Sequence, residues 1–129
     1  MIRIIAGLFL IAHGLVHLLW FVVPWNLMEV DGLPYSTTIL AGRIDIGRGG
    51  IRFVGLLWVL AAVAFVVAGI ALLFATPWWW PATLGAALYS IFLCLLGLPV
   101  AKWGLAIDLL IVVILLLGRS YGLSFLPFS

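Results

Sequence analysis

Residues 53–101 contain no charged side chain. One helix of that length would run to roughly 70 Å, more than twice the ~30 Å hydrocarbon core of a bilayer. The stretch must therefore turn, and Thr76-Pro77-Trp78-Trp79-Trp80-Pro81 is the natural place. Two prolines break the helix there, and the indoles favour a lipid–water interface. Spans over about 52–75 and 81–98 follow. A further span over about 3–23 precedes them, with only His13 and His17 polar beyond Arg3 and with Pro24 at its end. Its start, Met1-Ile2-Arg3, has the polarity of a signal peptide. The apolar run is longer than an h-region, however, and Val23-Pro24-Trp25-Asn26 offers no small-x-small cleavage site, so it reads as a retained helix. Gly97-Leu98-Pro99 ends the third span. The fourth covers about 101–118, with Lys102 and Arg119 near its ends and Asp108 inside it.

The composition agrees with this reading. The chain is 67% hydrophobic and 8% charged, against roughly 45–50% and 25% in a soluble domain. A soluble chain this small could not hide that surface, so the composition argues against a soluble enzyme, a disordered chain or a nucleic-acid binder, and there is no Lys/Arg run to track phosphates. The single cysteine, Cys94, excludes an internal disulfide and a CxxC motif, and reads as a small apolar residue. The expected fold is all-α: a polytopic membrane protein, one domain over 1–129, built as a four-transmembrane-helix bundle with a long structured loop, 24–50, between helices 1 and 2.

That loop carries Glu29, Asp31, Arg43, Asp45 and Arg48, half of the charged residues. Pro34-Tyr35-Ser36-Thr37-Thr38 is expected to start a short helix, and Arg43-Ile44-Asp45-Ile46 alternates like a strand. Glycines 42, 47, 49 and 50 point to tight turns. The loop reads as an interfacial cap or as a substrate lid. Arg43, Arg48, Arg52 and Lys102 on the loop side, against Arg3, Arg119 and the N-terminal amine, favour a cytoplasmic loop and external termini.

Polar groups in hydrocarbon are costly, which singles out His13, His17 and Asp108. His13 and His17 share one helix face. His17 lies six residues before Val23 and Asp108 six after Lys102, so each falls about 9 Å below the loop side. His17 is therefore expected to pair with Asp108. His13, one turn deeper, should approach Tyr89 and Ser90. Trp58 and Cys94 flank the layer, and Arg52 is placed to reach down to Asp108. Gly7, Gly14, Ala64, Ala68, Gly85 and Ala86 would allow close helix approach.

Such a layer fits a pocket for a quinone headgroup, a haem iron, a pigment or a metal, or a proton shuttle, because neutral histidine ligates metals and titrates near neutrality. It equally fits a polar cluster that fixes helix register. His-x3-His supplies two metal ligands where zinc usually needs three or four. Asp108 and Cys94 could add to them, and H-E-x-x-H is absent. Trp25, Trp78, Trp79, Trp80 and Trp103 read as interface anchors.

Gly7-Leu8-Phe9-Leu10-Ile11-Ala12-His13-Gly14-Leu15-Val16-His17-Leu18 resembles the first helix of DoxX-like small membrane proteins. Lys102-Trp103-Gly104 and the Gly32-Leu33-Pro34-Tyr35 to Asp45 region resemble the same group. The resemblance implies a four-helix bundle in a prokaryotic plasma membrane and, in some members, a partner of quinone- or thiol-linked redox enzymes. It carries over no catalytic residues, and thiol exchange would need a cysteine pair that the chain lacks.

The expected function is a small integral subunit or partner of a larger, redox-linked membrane complex, supplying packing and part of a quinone or cofactor pocket near His17 and Asp108. Its partners would be lipid and other membrane subunits or a second copy, with no nucleic acid. A stand-alone membrane enzyme or binder of an apolar ligand is the alternative, and a small transporter or channel the third reading. No complete catalytic motif is present, so enzymatic activity stays open.

Overall fold

The computed structural model describes residues 1–121; the C-terminus lies outside them. Helices α1 (Ile2–Val16) and α2 (Leu19–Val22) form the first segment. A two-stranded antiparallel hairpin follows, β1 (Thr38–Ile39) and β2 (Ile44–Asp45), then α3 (Gly47–Leu73), α4 (Trp79–Leu96) and α5 (Lys102–Tyr121). Among the described residues, four segments are long and apolar enough to cross a membrane: Ile2–Val22, Gly47–Leu73, Trp79–Leu96 and Lys102–Tyr121. The arrangement is compatible with a four-helix bundle. Helix α1 packs on α3, α3 on α4 and α4 on α5, whereas α1 and α5 have no extended backbone packing with each other.

The tightest seam is α1 against α3. A Cβ at Gly7 would lie 3.0 Å from the Gly69 carbonyl oxygen, and one at Gly14 would lie 2.9 Å from that of Ala62 and 2.7 Å from Phe65 Cβ. Small residues seven apart on each antiparallel helix thus face each other in pairs, which lets backbones meet where lipid provides no hydrophobic drive. Ala68 and Ala86 are buried as expected. Gly85 is not part of a seam: a Cβ there would meet nothing. The matching small residue is Gly69, hidden in sequence among the alanines of α3.

The loop ends in a hairpin rather than the expected helix at 34–38. Ser36 Oγ accepts from the Thr38 N–H at 3.1 Å, a local bond that competes with helix initiation. The expected strand at 43–46 exists as β2, paired Thr38 with Asp45 and Ile39 with Ile44. Asp45 Oδ1 accepts from Thr37 Oγ1 and from the Gly47 N–H, each at 2.9 Å. These bonds, the backbone one first, hold its carboxyl below the ordinary aspartate range. By binding Gly47 N–H it also starts α3 at 47 rather than 52, a turn and a half early.

At the hairpin tip Leu40, Ala41 and Gly42 have φ of 55°, 60° and 82°. The Leu40 N–H donates to the Leu96 carbonyl at 2.9 Å, so the tip satisfies an orphan carbonyl at the end of α4. Only glycine tolerates this region freely. Ala41→Gly is expected to stabilise the tip by about 1 kcal/mol, read as slower hydrogen exchange at the Leu40 amide. Faster exchange would refute the strain.

The tryptophans divide. Trp78 and Trp103 are exposed, Trp103 with Lys102 Nζ 5.7 Å from its ring. Trp25 and Trp80 are half-buried: Nε1 of Trp25 donates to the Arg52 carbonyl and that of Trp80 to the Leu115 carbonyl. Trp79 is buried in the core beside Leu72 and Ala86, so it packs helices instead of marking an interface.

Candidate functional site

Helix α1 carries His13 and ends at its C-cap His17, α4 carries Ser90 and Cys94 at the same four-residue spacing, and α5 supplies Asp108. All five are buried. His13 Nε2 lies 2.8 Å from Asp108 Oδ1, His17 Nε2 lies 2.7 Å from Ser90 Oγ, and Cys94 Sγ–H points to Asp108 Oδ2 at 3.6 Å. The predicted partners are therefore exchanged by one turn: His13, not His17, meets Asp108, and His17 meets Ser90.

The reason lies in the α4–α5 turn. Ala101 is buried and the hairpin tip is bonded to Leu96, so this turn sits beneath the loop and α5 starts deeper than an equal-depth count assumes. Asp108 drops accordingly to the level of His13. Gly104, one turn before Asp108, makes room for Cys94: a Cβ there would lie 3.3 Å from Sγ. Cys94 thus faces a carboxylate and a hydroxyl rather than acting as a purely apolar filler.

The backbone of α1 changes at the same point. His17 N–H bonds to the Gly14 carbonyl, three residues back instead of four, and the His17 ring takes the His13 carbonyl through Nδ1–H at 2.8 Å. That bond fixes the neutral tautomer: Nδ1 donates, so Nε2 accepts the Ser90 hydroxyl proton. Among the described residues, no buried side-chain nitrogen or oxygen is left without a partner. Phe65 walls the layer from α3, its ring centroid 4.8 Å from that of His13 and 5.1 Å from that of His17.

Of the other expected residues, Trp58 belongs to the layer, its ring 5.4 Å from that of His17. Tyr89 does not: its hydroxyl donates to the Leu57 carbonyl and ties α4 to α3. Arg52 does not reach Asp108, because its guanidinium lies over Trp25, 5.2 Å from the ring centroid. Ser90 as the partner of His17, and Phe65 and Trp20 as walls, are additions that the structure makes to the expected set. The sequence signal for Ser90 is the i,i+4 pair Ser90/Cys94 on α4.

Above this layer lies a cavity of about 250 Å³. Its lining includes Trp20 and Trp58 on the helix side and Ser36, Thr38, Ile39 and Ala41 on the loop side. Trp20 and Trp58 stack at 5.0 Å, and Trp58 is the common wall between the cavity and His17. Its volume exceeds that of the ~150 Å³ void that admits benzene. Compared with known proteins, the chain matches no family model, no curated sequence and no solved structure.

Proposed function

We propose that this chain is a multi-pass membrane protein whose loop roofs a binding chamber for the ring of an apolar-tailed ligand, of the quinone class. The observation that carries this reading is the shared Trp58 wall: an aromatic chamber under the loop backs onto a buried His–Ser–Asp layer. Stacked indoles suit a flat ring, the hydroxyls of Ser36 and Thr38 suit its carbonyls, and the surrounding lipid suits its tail. The loop then acts as a lid, on the cytoplasmic side by its arginine content.

Because Trp20 and Trp58 line the chamber, a short-tailed benzoquinone is expected to quench tryptophan fluorescence saturably in the detergent-purified protein. Val54 also lines the chamber. Val54→Phe is expected to weaken binding at least about tenfold, a loss near 1.4 kcal/mol, while the fold is retained by circular dichroism. Non-saturable quenching, or equal affinity in folded Val54→Phe, would sink the proposal. The reading as an accessory subunit of a redox complex rests on the DoxX-like resemblance. Mild-detergent purification separates the two: a lone chain carrying an extractable ligand supports the chamber, and a stoichiometric partner subunit supports the complex.

A further inference from the structure

We infer that His13, His17 and Asp108 form a binding site for one divalent first-row transition ion, of the Zn²⁺ or Fe²⁺ kind, inside the helical bundle. One ligand atom from each lies within 4.8 Å of the other two. Two ligands at 2.0–2.1 Å from one ion sit at most about 4.2 Å apart, so closure needs side-chain movements of roughly half an ångström. Two imidazoles and a carboxylate are a recurrent set for these ions, and leave coordination positions open.

Three features fit the site to an ion. The His17 Nδ1–H bond to the His13 carbonyl leaves Nε2 carrying the lone pair, as in ligating histidines; that lone pair takes the Ser90 hydroxyl proton, a bond the ion would displace. Phe65 and Trp58 cover the rings and keep water out. Asp108 is fully buried, and among the described residues its one ion-pair partner is His13, a cation only when protonated. A divalent ion supplies that countercharge permanently. Starting from the imidazolium–carboxylate pair, it replaces the proton on His13 Nε2, which leaves to bulk, while the Nδ1 proton stays and keeps the ring a neutral ligand. The ligands come from α1 and its C-cap on one side and from α5 on the other, helices without extended packing against each other, so the ion would link them. This inference does not depend on the chamber reading, because neither metal nor ligand atoms are shared with the quinone test.

The test uses the full chain, purified in detergent and stripped with chelator, then titrated with Co²⁺. One equivalent is expected, with visible ligand-field absorption displaced by Zn²⁺. Asp108→Asn, which keeps a hydrogen-bond acceptor, and His13→Ala should each weaken binding at least about tenfold, since even supporting residues are worth 10–100-fold. Tyr89→Phe should bind as the parent does. The chain has two histidines, so ring ¹⁵N resonances provide a second readout on the parent protein that no folding defect can obscure: Zn²⁺ should shift both at one equivalent. Absence of stoichiometric binding, unshifted ring nitrogens, or equal affinity in folded Asp108→Asn would each overturn the site.

Discussion

Replacing Asp108 with leucine is expected to cost the metal-free fold roughly 2–4 kcal/mol. Interhelical hydrogen bonds in membrane proteins average about 0.6 kcal/mol and reach about 1.7, so the bonds from His13 and Cys94 do not account for this alone. The larger part comes from what is left behind. His13 Nε2–H loses its acceptor in a buried site, which costs about 1–3 kcal/mol. Asp108→Asn keeps an acceptor oxygen and should lose less than half as much.

A double-mutant cycle in chelator assigns the partners. His13 and Asp108 should couple by about 1–1.7 kcal/mol, the upper part of the membrane range, and His17 and Ser90 by at least about 0.6 kcal/mol. His17 and Asp108, which share no hydrogen bond, should couple by less than about 0.5 kcal/mol. Unfolding in mixed detergent followed by circular dichroism measures all three. A stronger His17/Asp108 term than His13/Asp108 would reject the observed pairing.

The one-turn exchange marks where the sequence stops being informative. Span number, a break near Thr76 and Pro77 (α4 already begins at Trp79, so Pro81 sits in its first turn) and the burial of His13, His17 and Asp108 follow from transfer energies, which depend on composition over many residues. Pairing depends on where each helix begins relative to its neighbours. Asp45 binding Gly47 N–H moves the start of α3, and the Leu40–Leu96 bond holds the hairpin over the α4–α5 turn. Both are contacts of the long loop, and its registers are set by a few hydrogen bonds and left-handed residues rather than by a periodic pattern. Trp79 illustrates a related limit. Adjacent tryptophans share the same interfacial preference, yet a helix beginning at 79 turns that side chain inward and leaves Trp78 exposed.

The glycine seam yields a second large expected effect. Gly14→Leu should abolish the native α1–α3 packing, and even Gly14→Ala should cost about 1–3 kcal/mol, the usual penalty for overpacking a fitted core. The added methyl would meet the Ala62 carbonyl at 2.9 Å and Phe65 Cβ at 2.7 Å, atoms at or next to backbone that cannot swing aside. Gly69→Ala meets the Gly7 carbonyl at 2.7 Å and should behave alike. Gly85→Ala has open space and gains up to about 1 kcal/mol of helix propensity, so it should be neutral or stabilising. This contrast separates close approach from any general dislike of alanine in these helices. Gly14 also adjoins His13 and faces Phe65, the wall of the polar layer, so backing α1 away from α3 must displace both histidines relative to Ser90 and Asp108. In folded Gly14→Ala the His13/Asp108 coupling should therefore shrink together with Co²⁺ affinity. Retention of both, at full stability, would mean that the seam does not position the layer.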